Sequence, residues 1–428
     1  MRARTSWYLY DWADSSFVTT VVAAVLPAYF AGVVCAGPQA VIHLGPLTIT
    51  SSPTSLWGYA AGLAAALVAV LSPVLGAVAD AAGRRKAFLA FFAVAGMSAS
   101  ALLSLSGPGA VLLTLALLVV GETGFAGAEV FYNALLPAIS GPAERDTVSA
   151  GGFAWGYLGG GLLLAVNVLM IRNPAAFGLA DSAAASRASF LTVAAWWAVF
   201  SLPLFLFVPE RRAPVAGLRS SPMRSLRSTM RDIIRRRDLL LFLIAFLLYN
   251  DGVQTVILMA TVFGKAELGL ETSDLVTALL ITQAVGFPGS LAYGAAARRI
   301  GSKKSLLGGI AAYLGIVMWA ARVRTAAEFT ILAALVGLFQ GGLQAISRSF
   351  FSRLVPEGLE AEYFGFFSIS TRFASIFGPV VFALLRDVTG NARSSILATA
   401  VLFMAGGAVL CFVREPGVRC SLPRSSAS

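Results

Sequence analysis

Charge is scarce in this 428-residue chain: 12% of its residues are charged and 57% are apolar, too few charges to solvate the surface of a soluble domain. Histidine occurs once, at His43, and the three cysteines, Cys35, Cys411 and Cys420, lie far apart without ligand spacing. Neither a disulfide framework nor a metal site is therefore expected. The chain lacks a Gly-x4-Gly-Lys-Ser/Thr loop to cradle nucleotide phosphates, a His-Glu-x-x-His pair, and a nucleophile with a base partner, so no enzyme activity and no cofactor are expected. No polar segment is longer than Pro209 to Asp238, which leaves no room for a soluble partner-binding domain.

What is present is apolar and said twice. Gly76-Ala-Val-Ala-Asp80-Ala-Ala-Gly83-Arg84-Arg85-Lys86 is echoed by Gly294-Ala-Ala-Ala-Arg298-Arg299-Ile300-Gly301-Ser302-Lys303-Lys304, 218 residues on. Phe131-Tyr132-Asn133-Ala134-Leu135-Leu136-Pro137 is echoed by Phe350-Phe351-Ser352-Arg353-Leu354-Val355-Pro356, 219 residues on. Two landmarks that agree on one long period mark a duplicated, two-halved membrane protein. The N-terminal Met-Arg-Ala-Arg runs into a polar Tyr10-Asp11-Trp12-Ala13-Asp14 stretch where a signal peptide would carry its apolar core, so the first helix is expected to be retained.

Stretches of about 20 apolar residues predict helices near 8–34, 55–78, 87–106, 109–134, 149–171, 189–208, 239–263, 274–297, 304–321, 326–348, 362–385 and 394–413. The expectation is all-α: a polytopic membrane protein with twelve transmembrane helices in two pseudo-symmetric six-helix bundles. The first bundle would span 1–208, a basic linker 209–238, and the second bundle with a short tail 239–428. The formal net charge of +11 comes from basic residues clustered in short loops beside the apolar runs, without interleaved aromatics, which argues for membrane orientation and against a nucleic-acid partner. Their alternation between loops predicts that both termini are cytoplasmic. In the linker, Arg224, Arg227, Arg231 and Arg235 recur at helical spacing opposite Leu226, Met230 and Ile233. That pattern fits an amphipathic helix on the inner leaflet, read either as a tether between bundles or as a lipid-sensing element.

The Gly76–Lys86 loop resembles the signature between the second and third helices of the major facilitator superfamily, with Ala81 where that pattern carries a basic residue. Leu9–Ser15, Phe131–Pro137, Tyr249–Thr255, Gly341–Ser349 and Glu362–Phe366 together resemble the "unknown major facilitator" family, which includes the fungal vacuolar amino-acid effluxer linked to autophagy. The resemblance implies the major facilitator fold, a central cavity and alternating access. It also implies a cytoplasmic gate at Gly76, Asp80, Gly83, Arg84, Arg85 and Lys86.

Charges inside spanning helices are costly unless paired or wet, so they are the candidates for a transport path. Glu122 and Glu129 are seven residues apart in the fourth helix and return to nearly one face, which Asn133 extends. Gln340, Gln344 and Arg348, spaced by four, line a stripe of the tenth, and Gln254 follows Asp251 in the seventh. Asp251 and Arg372 fall deep in their helices, where they either meet a solute or form a buried ion pair. Asp11 and Asp14 lie at i, i+3 near the start of the first helix. The expected function is a secondary transporter in the bacterial cytoplasmic membrane that moves a small polar or zwitterionic solute by alternating access, with amino-acid efflux and proton coupling as the finer form. The bilayer, the solute and protons are its partners, and a monomer is expected. Export of lipophilic compounds or lipids, and a non-transporting receptor or scaffold, stand as alternatives.

Overall fold

Helix ends in this protein fall where short polar side chains and glycines can close them. The computed structural model describes residues 1–44, 47–210, 222–372 and 392–415. The helices are α1 (Arg2–Val34), α2 (Pro53–Ala82), α3 (Arg85–Leu105), α4 (Val111–Ile139), α5 (Arg145–Arg172) and α6 (Ser182–Phe207), then the linker helix α7 (Pro222–Arg235). They continue as α8 (Arg237–Leu268), α9 (Thr272–Ile300), α10 (Ser302–Ala320), α11 (Ala326–Leu354), α12 (described over 360–372) and α13 (Ala392–Cys411). The Ser52 hydroxyl accepts the Ser55 N–H with Pro53 in the first turn, and Gly83 ends α2 at φ 59°. Thr325 and Glu328 close α11 with a reciprocal capping box.

Among the described residues nine helices are long and apolar enough to cross a membrane: α1 to α6, α8, α9 and α11. Of the other expected spans, α10 opens on Lys303 and Lys304, α13 is apolar over Ser395–Cys411, and the span expected at 362–385 passes outside the described residues after 372. The linker residues 211–221 and the tail from 416 also lie outside them. Several helices begin earlier than hydropathy predicts, α1 at Arg2 and not near residue 8, α6 at Ser182 and not near 189. Polar residues extend these helices because partners meet them: Arg4 Nε donates to the Ile139 carbonyl at 3.1 Å and its guanidinium pairs with Glu144. His43 lies in a short antiparallel hairpin, Ala40–Leu44 with Leu47–Ser51, opposite Thr48.

Helices α1 to α6 pack on one another, α8 to α11 pack with α13, and α5 joins the two groups by lying along α9 and α11. Small residues set that approach, since lipid offers no drive for helices to associate other than close packing. A Cβ at Gly294 would stand 2.5 Å from Ala150 Cβ, and one at Gly161 would stand 2.8 Å from Gln283 Cβ. On the other side of the interface Gly365 lies against the Pro73 backbone, and Gly76 against the Ala361 carbonyl. Two of these contacts, at Gly76 and Gly294, lie toward the end of the molecule where α1 begins, α2 ends and α7 lies, the linker face.

Gly76 meets backbone, which cannot swing aside, so overpacking there should cost about 1–3 kcal/mol of the contact between α2 and α12. Gly76→Ala should therefore lengthen the distance between spin labels at the exposed Arg84 and Glu357 positions. An unchanged distance distribution would show that the interface absorbs a methyl group.

Candidate functional site

At the linker face the Gly83 turn reverses the chain, so that Arg85, the first residue of α3, comes back beneath the Asp80 carboxylate at the end of α2. Arg85 Nε donates to Asp80 Oδ1 at 2.5 Å and Arg85 Nη2 to Glu360 Oε2 at 2.5 Å. Asp80 Oδ2 accepts the Glu362 backbone N–H at 2.8 Å, and so caps the first turn of α12. The chain Asp80, Arg85, Glu360 thus ties the two bundles, and all three residues are buried. Ala81 is exposed and supplies nothing; the guanidinium comes from Arg85 instead. Lys86 Nζ donates to the carbonyls of Phe205 at 2.7 Å and Val208 at 2.9 Å, a cation at the C-terminus of α6 within one bundle. Arg84 is exposed and stands outside the network.

The repeat of this loop carries Arg298 where the first carries Asp80, and the second tie is built with its polarity exchanged. The acid now sits on the first turn of α5: Asp146 Oδ2 accepts Ser302 Oγ at 2.6 Å, and Oδ1 accepts Arg353 Nη2 at 3.1 Å and the Ser349 hydroxyl. Arg145 Nη1 reaches the Ser352 carbonyl at 3.0 Å, and Ser149 Oγ the Ala345 carbonyl at 2.7 Å. Sequence reasoning missed Asp146 and Arg353. The signal was there: Asp146 and Glu362 are 216 residues apart, in near register with the repeat, and Arg353 lies inside an echoed segment.

One to two turns deeper, Arg348 of α11 passes into the opposite bundle. Its Nε donates to Ser149 Oγ at 2.9 Å, Nη1 to Asn133 Oδ1 at 3.0 Å and Nη2 to the Ser149 carbonyl at 2.9 Å. Nη2 also lies 3.6 Å from Asp11 Oδ2, which accepts the Tyr132 hydroxyl at 2.6 Å. Aromatic faces close the rest: the guanidinium carbon is 4.7 Å from the Trp7 ring centre, 5.6 Å from Tyr132 and 4.4 Å from Phe153. Gly152 makes the room, because a Cβ there would stand 2.6 Å from the Trp7 ring and collide with the Asp11 carboxylate. The sequence-expected Asp11, Asn133 and Arg348 are thus brought together, with Trp7, Tyr132, Ser149 and Phe153 added.

Deeper again, Arg372 Nη2 lies 3.7 Å from Glu129 Oε2, across the bundles. Arg372 is twelve residues into α12, about 18 Å along its axis, and Glu129 is ten residues from the end of α4, about 15 Å, so the pair sits near the middle of a hydrocarbon core about 30 Å thick. Glu122, two turns further along α4, is within electrostatic reach of Arg372. Asp14 is 3% exposed and lies within the fields of Asp11 and Glu129. The 219-residue offset sets Glu129 opposite Arg348 in the repeat, but the structure joins Arg348 to Asp11 and Asn133, and Glu129 to Arg372. The ion pair of Arg372 among the described residues is therefore with Glu129 and not with Asp251, which is buried in α8. Gln254, Gln340 and Gln344 are half-buried.

The family model described as "Vacuole effluxer Atg22 like" matches this chain over residues 1–145 and 141–417. An MFS-type transporter of Bacillus subtilis, YxiO, is 36% identical over 420 residues, 97% of this chain and 95% of that protein. Autophagy-related protein 22-1 of Aspergillus niger is 28% identical over 292 residues, 60% of this chain and 45% of that protein, so the match spans less than half of the fungal relative. The crystal structure of the human organic anion transporter MFSD10 superposes with a TM-score of 0.71 at 18% identity, covering 96% of this chain and 99% of that one, which shows the fold. These relatives are transporters and not enzymes, and with helices of this length and apolarity the chain is an integral membrane protein of the major facilitator fold. The chain belongs to the vacuole effluxer Atg22-like family of major facilitator transporters.

Proposed function

We propose that this secondary transporter carries a small zwitterionic solute of the amino-acid class, with Arg372 and Glu129 taking its opposite charges. The observation that carries this reading is the looseness of that pair. Its side chains keep 18% and 36% of their surface exposed, it closes only to 3.7 Å, and Arg372 Nε is buried without a hydrogen-bond partner among the described residues. A half-satisfied guanidinium at mid-membrane favours a ligand that completes it. A carboxylate fits its planar fork, and the released Glu129 suits an ammonium group. Arg348, by contrast, has all three of its nitrogens engaged and acts as a lock.

The basic linker supports a cytoplasmic linker face by the positive-inside rule, and we place the protein in a bacterial cytoplasmic membrane. On that orientation the described conformation is closed on the cytoplasmic side, and the Asp80 and Asp146 ties are the gate that must part for solute to enter from within. Ionised Glu129 balances Arg372 whenever the solute is absent, and a proton taken up and released by Glu122 is the coupling this arrangement supports. The transporter acts as a monomer, since each chain holds both halves of the site.

Asp80→Asn removes the charge that Arg85 faces, so turnover in solute counterflow should fall about tenfold or more, with solute affinity changed little. A large loss of affinity at unchanged turnover would contradict a gating role.

Arg372→Lys keeps the charge but loses the bidentate fork, so solute affinity should weaken about tenfold or more in proteoliposomes. The swap Glu129→Arg with Arg372→Glu decides between reading and rival. Full transport by the swapped protein would mean that the pair merely holds the bundles together, and the solute assignment would be wrong.

A further inference from the structure

Helix α7 has a face that neither bundle uses. With Leu226 set at 0°, the 100° step of a helix puts Thr229 and Ile233 at about 300° and 340°. Met230 and Ile234 then fall at about 40° and 80°, and Arg227, Arg231 and Arg235 at about 100°, 140° and 180°. The first sector is the docked one: Thr229 and Ile233 are buried, and α7 packs on α2 and α8. The next holds Met230 and Ile234, 45% and 60% exposed, and the three arginines beside them are exposed as well. Apolar side chains flanked by a row of guanidiniums suit a helix lying at a bilayer surface, with the apolar strip toward the acyl chains and the arginines among the headgroups.

A second feature continues this surface. Where α8 begins and α13 ends, Arg237, Asp238, Phe412 and Arg414 line a cavity of about 280 Å³. Phe412 is 68% exposed, and both arginines are exposed. Asp238 Oδ1 accepts the Arg414 backbone N–H at 3.0 Å, and with two arginines to one carboxylate the lining keeps a positive excess beside an apolar wall. Such a pairing of cations with an aromatic wall matches one phosphodiester headgroup and the start of its acyl chain.

The helix is also wired to the linker-face closure. Asp232, on the remaining side of α7, accepts the Tyr363 hydroxyl at 2.5 Å and lies 3.5 Å from Arg236 Nη1. Tyr363 follows Glu362, whose backbone N–H is held by Asp80. A force on α7 therefore reaches the first turn of α12, where the closure is made.

We propose that anionic phospholipid of the linker-side leaflet binds along Arg227, Arg231 and Arg235 and in the Arg237/Arg414 cavity, and so holds the linker face closed. The helix is more than a tether: lipid seats it, and Asp232 passes the seating to Tyr363 and the Asp80 cap. This goes beyond the solute reading and does not depend on it, since it is read by a distance and not by transport.

The test is the distance between spin labels at Arg84 and Glu357 in nanodiscs of phosphatidylcholine alone or with phosphatidylglycerol. Phosphatidylglycerol should raise the ratio of short to long distances about fivefold or more. Raising the salt to about 0.5 M should remove most of that gain in the unaltered protein, by screening. The triple variant Arg227→Gln, Arg231→Gln, Arg235→Gln and the double variant Arg237→Gln, Arg414→Gln should each lose at least half of it. An equal ratio in the two lipid mixtures, or a gain that survives high salt, would overturn the proposal. So would the same gain from soluble glycerol phosphate added to phosphatidylcholine discs, which would make the site one for a free anion.

Discussion

A guanidinium left unsatisfied inside an apolar bundle is costly, and Arg348 shows how much structure is needed to satisfy one in full. The group leaves its own bundle and is received by the other through three hydrogen bonds, a carboxylate and three aromatic faces. Receiving it requires α1, α4 and α5 to converge within one turn, which explains why Gly152 must lack a side chain and why Tyr132 bonds both Asp11 and the Trp7 carbonyl. Removing one partner would strand a buried charge, which is costlier than never having placed it there. The docking of the two bundles at this depth follows from satisfying one side chain.

The other charges of the interface arrange themselves around that anchor by how completely they are met. Arg85 and Arg353, at the linker face, are each shared between groups of both bundles. Arg372, farthest in, is met on one side only among the described residues. Duplication supplied the scaffold for these ties but did not repeat their chemistry. Where the first loop has Asp80, the second has Arg298, and the acid migrates to Asp146 on the helix that crosses it. Two pseudo-equivalent contacts thus reach the same end with opposite polarity, each placing a carboxylate on a helix start, where the peptide dipoles favour it.

Much of this is legible in the amino-acid sequence. The repeat, the membrane class and most spans follow from hydropathy and register, because a bilayer leaves the chain few alternatives. Asp80, Arg85, Asp11, Asn133 and Arg348 stood out because charge is rare enough here that each instance is informative. What stayed hidden was pairing. No spacing rule says that Arg348 leaves its own bundle for Asp11, or that Arg372 lies beside Glu129, since both pairings are made across helices far apart in sequence. Helix starts at Arg2 and Ser182 were hidden for the same reason: Arg4 and Asp181 make polar turns affordable through partners or caps that hydropathy does not weigh.

The polar character of the linker-face closure has a thermodynamic consequence of its own. An apolar seal of the same area would be held by the hydrophobic effect and would resist opening in proportion to the surface wetted, about 25 cal/mol for every square ångström. A seal of ion pairs and capped helix ends behaves differently. Once its halves part, water meets the same donors and acceptors, so each neutral hydrogen bond given up costs only about 0.5–1.5 kcal/mol net. The close fit of Gly76 on Ala361 and of Gly294 on Ala150 supplies cohesion by dispersion that is short-ranged and lost after a small displacement. The closure is therefore specific in geometry yet shallow in free energy, and on the proposed solute reading a change of partner at Arg372 worth a few kcal/mol is large enough to tip it.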